Sequence, residues 1–186
     1  FDEHYQHLIV WNHERLEVVG GYRIGQTDEI LPRLGVAGLY TSTLFRYDSR
    51  LLADVGPALE LGRAFVRPEY QRDYSPLLLL WKGIGTFVAH HPRYRTLFGT
   101  VSISNDYQSL SRQILARFLY ATSYRPDLAA RVQARNPPPF LRAGRGVPPV
   151  AGRVARSIAD VGAVVAGIEA DGKGVPVLLR QYLKLN

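Results

Sequence analysis

Between residues 58 and 90 the chain changes its period once. Ala58–Val66 reads as a β-strand and Pro68 ends it. The polar stretch 67–75, Arg-Pro-Glu-Tyr-Gln-Arg-Asp-Tyr-Ser, reads as a loop. Ser75-Pro76 then opens a helix, with Ser75 as N-cap and Pro76 at the first helical position. Leu77, Leu80, Trp81, Ile84, Phe87 and Val88 recur at helical spacing, so this helix buries one face and runs to about His90, before Pro92. Leu97–Ser104 reads as the next strand. A strand–loop–helix–strand unit commits the chain to a sheet with helices packed against it, and so to a mixed α/β fold.

The flanking segments fit around that unit. His7–Asn12 and Leu16–Ile24 read as strands of a hairpin, with Gly20-Gly21 marking a bulge or a close backbone approach. Asp28 is expected to cap a short helix over Glu29–Leu34. Leu39–Tyr47 carries strand-forming residues, and Ser49–Val55 makes one or two helical turns stopped by Gly56-Pro57. Asp106 is expected to cap a helix running to about Tyr120, and Asp127 a short helix over residues 127–135. Residues 136–150 hold five of the twelve prolines together with Arg142 and Arg145, and read as an extended, mobile segment. Helices are expected over Val154–Ala170 and Pro176–Leu185, with Asp171–Gly174 as a turn between them. No repeat is visible, and the 186 residues fit a single domain.

Composition narrows the chemistry. There is no Cys, which excludes disulfides, thiolate metal sites and a Cys nucleophile, and suggests a reducing, cytoplasmic setting. No apolar run reaches the length of a membrane span, and no signal peptide is visible at the start. The net charge is +7, carried by 20 Arg and 3 Lys. An Arg-rich surface suits nucleic acid, an anionic membrane face, a phosphorylated cofactor or an acidic carrier protein; an Arg-rich proteome would produce the same surface without function. The five His residues show no metal-ligand spacing, so no metal is expected.

The candidate site lies around the strand 58–66. Glu60 and Arg63 are three residues apart and would face opposite sides of a flat strand, but a bulge at Gly62 would bring them to one face. There Arg63 could hold the carboxylate of an amino-acid substrate and Glu60 its amine; an ordinary structural ion pair would give the same pattern. The following helix N-terminus offers free N–H groups and partial positive charge, with Arg67 and Arg72 flanking the loop and Tyr74 and Ser75 at its end, an arrangement suited to a phosphate. Ser102, Ser104 and Asn105 are expected at the end of the next strand, where open α/β sheets bind ligands; helix capping is the competing role for Asn105.

With these residues in view, the sequence resembles the hemolysin-like and ornithine-lipid-synthase group of GNAT N-acyltransferases. The matching stretches are VVGGYRIG (18–25), LYTSTLF (39–45), LELGRAFVRPEYQ (59–71), LLLLWKGIGTFV (77–88), LFGTVSISNDYQSLSRQ (97–113) and IEADGKGVPVLLRQYLKLN (168–186). They come in the group's order and span most of the chain. The strand with Glu60 and Arg63 is more distantly similar to that of acyl-homoserine-lactone synthases. The resemblance implies a GNAT fold and transfer of a long-chain acyl group from acyl-carrier-protein phosphopantetheine, or from acyl-CoA, to the amine of an amino acid such as ornithine. It also implies an acyl carrier protein as partner. The 136–150 segment, with Arg135, Arg142 and Arg145, could dock that carrier or a membrane surface, a solvated linker being the competing reading; no nucleic acid and no permanently bound cofactor are expected. The chain departs from the superfamily in two ways. The Gly-rich loop of acetyl-CoA enzymes is replaced by Gln71-Arg72-Asp73-Tyr74-Ser75-Pro76, which favours a carrier-protein donor. The chain also stops where the group continues into another strand, so a truncated C-terminus is expected.

The implied reaction is direct aminolysis of a thioester. Glu60 is expected as base, directly or through water, and backbone N–H groups around Phe65, Val66 and Arg67 as oxyanion donors. A non-catalytic GNAT-like module docking an acidic carrier or nucleic acid is the alternative. A lysophospholipid O-acyltransferase is disfavoured, because none of the five His is followed by Asp in an H-x-x-x-x-D motif.

Overall fold

The computed structural model of the chain describes residues 1–137 and 157–184. They gather into two compact units: Phe1–Thr100 with Arg131–Arg135, and Val101–Ala130 with the described part of Asn136–Asn186. Most of the Pro/Arg-rich segment, residues 138–150, lies outside the described residues, as do residues 154–156 and Leu185 at the ends of two expected helices.

The first unit holds the expected mixed sheet. β1 (Gln6–Asn12) and β2 (Glu17–Gln26) form the antiparallel hairpin, with an irregularity between Val10 and Trp11 opposite Gly20. The Gly pair also allows the close approach read from the sequence: a Cβ on Gly20 would stand 2.7 Å from the Phe65 carbonyl. α1 (Thr27–Leu34) follows directly; Asp28 lies inside its first turn rather than capping it. Next come β3 (Phe45–Tyr47), α2 (Leu51–Val55) and β4 (Ala58–Val66), the last with the bounds read from the sequence. α3 (Ser75–His90) then crosses over to β5 (Thr96–Gly99), which pairs parallel with β4, so the sheet order is β1-β2-β4-β5. α3 packs on β1 and β2, with Trp81 against Tyr22 at 6.2 Å between ring centres. Fully buried Leu59, Leu80 and Ile84 contribute about 1.5–3 kcal/mol each to holding helix and sheet together.

Several local expectations are corrected. Leu39–Tyr47 is not one strand: Tyr40–Thr43 winds into a 3-10 turn because the N–H groups of Tyr40 and Thr41 point at the Glu60 carboxylate. Ser75 is the first helical residue rather than the N-cap; its N–H and its hydroxyl both donate to Asp73 Oδ1. β5 ends at Gly99, not Ser104, so the strand-like sequence beyond it has no ladder partner. Residues 127–135 are not one helix. Pro126–Ala129 forms α5, and β6 (Val132–Ala134) pairs antiparallel with β3, closing a small second sheet in the first unit. Asp127 is held by Arg125 instead of capping.

The second unit is helical. α4 (Ser109–Ser123), α6 (Ile158–Ile168) and α7 (Val177–Tyr182) enclose a core of Leu115, Phe118, Val161, Val165, Val175 and Leu179. α6 starts with a reciprocal capping box between Ser157 and Asp160. α4 is not capped by Asp106; the buried Glu169 carboxylate accepts the Gln108 N–H at that helix start instead.

Candidate active site

Strand alternation sorts the residues of the first unit. Tyr22 faces α3, so Arg23 and Gly25 point to the opposite face of β2. Their cross-strand partners on β4 are Gly62 and Glu60. Arg23, Gly25, Glu60 and Gly62 therefore share the face away from α3. Tyr5, just before β1, lays its ring over Gly25, where a Cβ would come within 2.4 Å of it. Only glycine at position 25 lets Tyr5 sit between the arginine and the carboxylate.

Glu60 is 1% exposed and both of its oxygens are engaged. Oε1 accepts the Thr41 N–H at 2.6 Å, and Oε2 accepts the Tyr40 N–H at 3.1 Å and a short hydrogen bond from the Tyr5 hydroxyl. A buried carboxylate survives when it is paired or fully hydrogen-bonded, and the turn 40–43 supplies those donors. Burial, followed by the neighbouring Glu60, pushes the Tyr5 hydroxyl far above its ordinary pKa, so it stays a donor.

Arg23 is 2% exposed. Nη1 donates to Asp2 Oδ1 at 2.7 Å, and the guanidinium lies 4.6 Å from the Tyr5 ring centre, 5.0 Å from Tyr40 and 6.0 Å from Phe1. The hydrogen bond from Arg23 holds the Asp2 carboxyl below its ordinary pKa, with Arg63 adding to the effect. Arg23 Nε and Nη2 have no hydrogen-bond partner.

The bulge expected at Gly62 is present. Between Gly21↔Phe65 and Arg23↔Gly62, β4 carries one more residue than β2, and Arg63 takes φ +50 to absorb it. Arg63 is exposed and forms no hydrogen bond with Glu60; the two are not an ion pair. Instead Arg63 lines a cleft of 260 Å³ with Arg23, Asp2, His7, Gly21 and Phe65. Beyond Leu61↔Gly99, β4 has lost its β5 neighbour. Arg67 N–H donates to Val19 O on β2, so it is not an oxyanion donor. By alternation Val66 N–H points to the opposite, open edge, the side from which Val66 O accepts Gln71 Nε2.

The loop residues are placed differently from one another. Arg67 is neutralised by Glu17 at 2.5 Å and Glu69 at 3.3 Å, and Asp73 already occupies the first N–H of α3. Arg72 and Tyr74 are exposed, and among the described residues Arg72 has no ion pair. Ser102, Ser104 and Asn105 belong to the second unit, past the end of β5. Ser104 bonds Asp106, and Asn105 accepts Arg112 Nη1 at 2.6 Å. Among the described residues no group of His, Asp and Glu is gathered to hold a metal ion. The sequence reading missed Arg23, Tyr5 and Asp2. The signal for Arg23 in the sequence is a charged residue in the stretch VVGGYRIG, which is otherwise small, apolar or aromatic.

The first unit thus has a bulged central strand that parts from its parallel neighbour and contributes to a cationic cleft. Residues 1–82 match the acetyltransferase (GNAT) domain family. Two curated relatives agree with the match. The chain is 35% identical over 123 residues to the glycine N(alpha)-acyltransferase of Bacteroides thetaiotaomicron, an alignment covering 62% of the chain and 36% of that protein. It is 32% identical over 123 residues to the protein of the same name from Phocaeicola vulgatus, covering 62% of the chain and 38% of that protein. The chain thus spans little more than a third of the length of these relatives. No solved structure gives a significant match. The GNAT match takes in the leading segment, β1, β2 and β4, which line the cleft, and the first part of α3 on the opposite face of the sheet.

Proposed function

We propose that this chain is the GNAT N-acyltransferase part of a larger acyltransferase, moving a long-chain acyl group from a phosphopantetheine thioester to the α-amine of a small amino acid. The observation that carries this reading is the cleft itself: two arginines, one buried and one at the β4 bulge, line it together within the GNAT-matching segment. Glycine, named in the curated relatives, and ornithine, implied by the sequence resemblance, both fit an acceptor of this class. The donor is acyl-carrier protein or acyl-CoA. The absence of Gly from the loop 71–76 and the neutralised Arg67 support the donor with a single phosphate on its arm. Both substrates are those of the cytoplasm, and among the described residues no helix is long and apolar enough to cross a membrane.

In this reading the thioester carbonyl lies along the open edge of β4, where Val66 N–H stabilises the oxyanion. The amine must lose its proton to attack. Glu60 is the final acceptor, and because its oxygens are enclosed, the proton reaches it through the Tyr5 hydroxyl. The test is thiol release with mass spectrometry of products, offering long-chain acyl-carrier protein and acyl-CoA with glycine, ornithine and lysophospholipid. Wild type is expected to give N-acyl amino acid, with Tyr5→Phe and Glu60→Gln each losing about 10²–10⁴-fold in turnover. Full turnover in folded Tyr5→Phe would remove the relay; product only with lysophospholipid would overturn the reading.

A further inference from the structure

We propose that Arg23 is the carboxylate-recognition residue of the cleft, so that the acceptor must be an α-amino acid with a free carboxylate. This deepens the acyltransferase reading and rests on it for the acceptor's role in the reaction. A guanidinium has five N–H donors in a fixed fork, and its Nε and one terminal nitrogen match the two oxygens of a carboxylate. In Arg23 that side-on edge, Nε with Nη2, is the edge left without a partner, while Asp2 takes Nη1. Leaving buried donors of a charged group unsatisfied is costly, and the three rings around the cation offset only part of that cost. Arg23 is one of the residues that line the cleft, its unpaired edge lies buried just behind the cleft surface, and Gly62 stands beside that edge: a Cβ there would be 4.0 Å from Nη2.

The other groups complete the recognition of a zwitterion. Arg63 adds a second positive charge at the same cleft, and the Asp2 carboxylate, on the cleft wall beside Arg23, suits an ammonium. The cavity's 260 Å³ admits a small amino acid. Arg63 was expected from the sequence to hold this carboxylate, but it is exposed and screened by water. The desolvated Arg23 discriminates far better between a charged carboxylate and a neutral amide.

The experiment measures equilibrium binding of glycine, ornithine and their carboxamides by NMR, following the Arg23 Nε–H signal, and acylation of the same four compounds. Free amino acids are expected to shift the Arg23 signal and to bind about ten- to a hundredfold more tightly than the carboxamides. Arg23→Gln should abolish that preference. Because removing a buried charge endangers folding, Gly62→Ala serves as the second variant: its Cβ meets no atom closer than Arg23 Nη2 at 4.0 Å, so it crowds the unpaired edge and leaves Arg23 in place, and it should raise KM for the amino acid with little change in kcat. Equal binding of amino acid and carboxamide, or no binding of either, overturns the inference. Equal acylation of both overturns it while leaving the acyltransferase reading intact. Carboxylate-dependent binding without product from any donor upholds the site and removes the acyltransferase reading.

Discussion

Tyr5 links the three groups of the site by contact alone. Its ring stacks over the Arg23 cation, its hydroxyl donates to Glu60, and it lies in space that only Gly25 leaves free. Gly25→Ala therefore puts a methyl group 2.4 Å from the nearest atom of the Tyr5 ring. Overpacking of this kind costs about 1–3 kcal/mol, and here the cost comes with displacement of Tyr5 from Glu60. We expect Gly25→Ala to lower the midpoint of denaturant unfolding and to lower turnover more than the stability loss accounts for. A variant that loses stability yet keeps full turnover would show that the Tyr5–Glu60 contact is structural only. Arg23 was hidden at this scale because a sequence shows charge but not enclosure: an arginine in a strand is usually a surface residue, and only the arrival of Phe1, Tyr5 and Tyr40 encloses it.

At the scale of elements, β4 carries the strain of the site. Arg63 sits at φ +50, where a Cβ costs roughly 1–2 kcal/mol. Arg63→Gly is expected to raise stability by about 1 kcal/mol and to reduce acylation by removing the second cation from the cleft, measured by thermal unfolding alongside initial rates. Loss of stability on that change would mean that the arginine side chain supports the bulge. β4 and α3 were legible from sequence because Pro68 and the helical recurrence of Leu77–Val88 are local signals. Likewise the Gly62 bulge followed from asking how Glu60 and Arg63 could share a face. Pairing was not legible. The run after Gly99 has strand composition but no neighbour, and the short β6 exists because β3 offers it an edge from far back in the chain. The phosphate cradle was over-read for a related reason. A sequence shows Arg67, Asp73 and the helix start, but not that Glu17 neutralises the first and that Asp73 fills an N–H at the third.

For the whole molecule, the relevant quantity is charge. The sequence carries +7, and its arginines include several already paired in the structure, so the field that a partner meets is set by those left over. An acidic carrier protein would be steered by that field, and screening at higher ionic strength would weaken the encounter. The apparent KM for acyl-carrier protein is expected to rise steeply with salt, and that for a short acyl-pantetheine thioester to stay nearly flat. Parallel dependence for both would place the effect at the acyl-transfer site rather than at a carrier-docking surface.

The wall of the Arg23 pocket is made largely by the residues that precede the first strand. Phe1 and Tyr5 give two of its three rings, and Asp2 its one counter-charge. The sheet and this leading segment thus form a single inherited unit. A lineage that replaced Tyr5 would be released from keeping Gly25, and one that lost the segment would expose Arg23 to water and with it the distinction between an acid and its amide. Among related chains, Asp2 and Tyr5 of the leading segment should therefore be kept or changed together with Arg23 and Gly25 of β2.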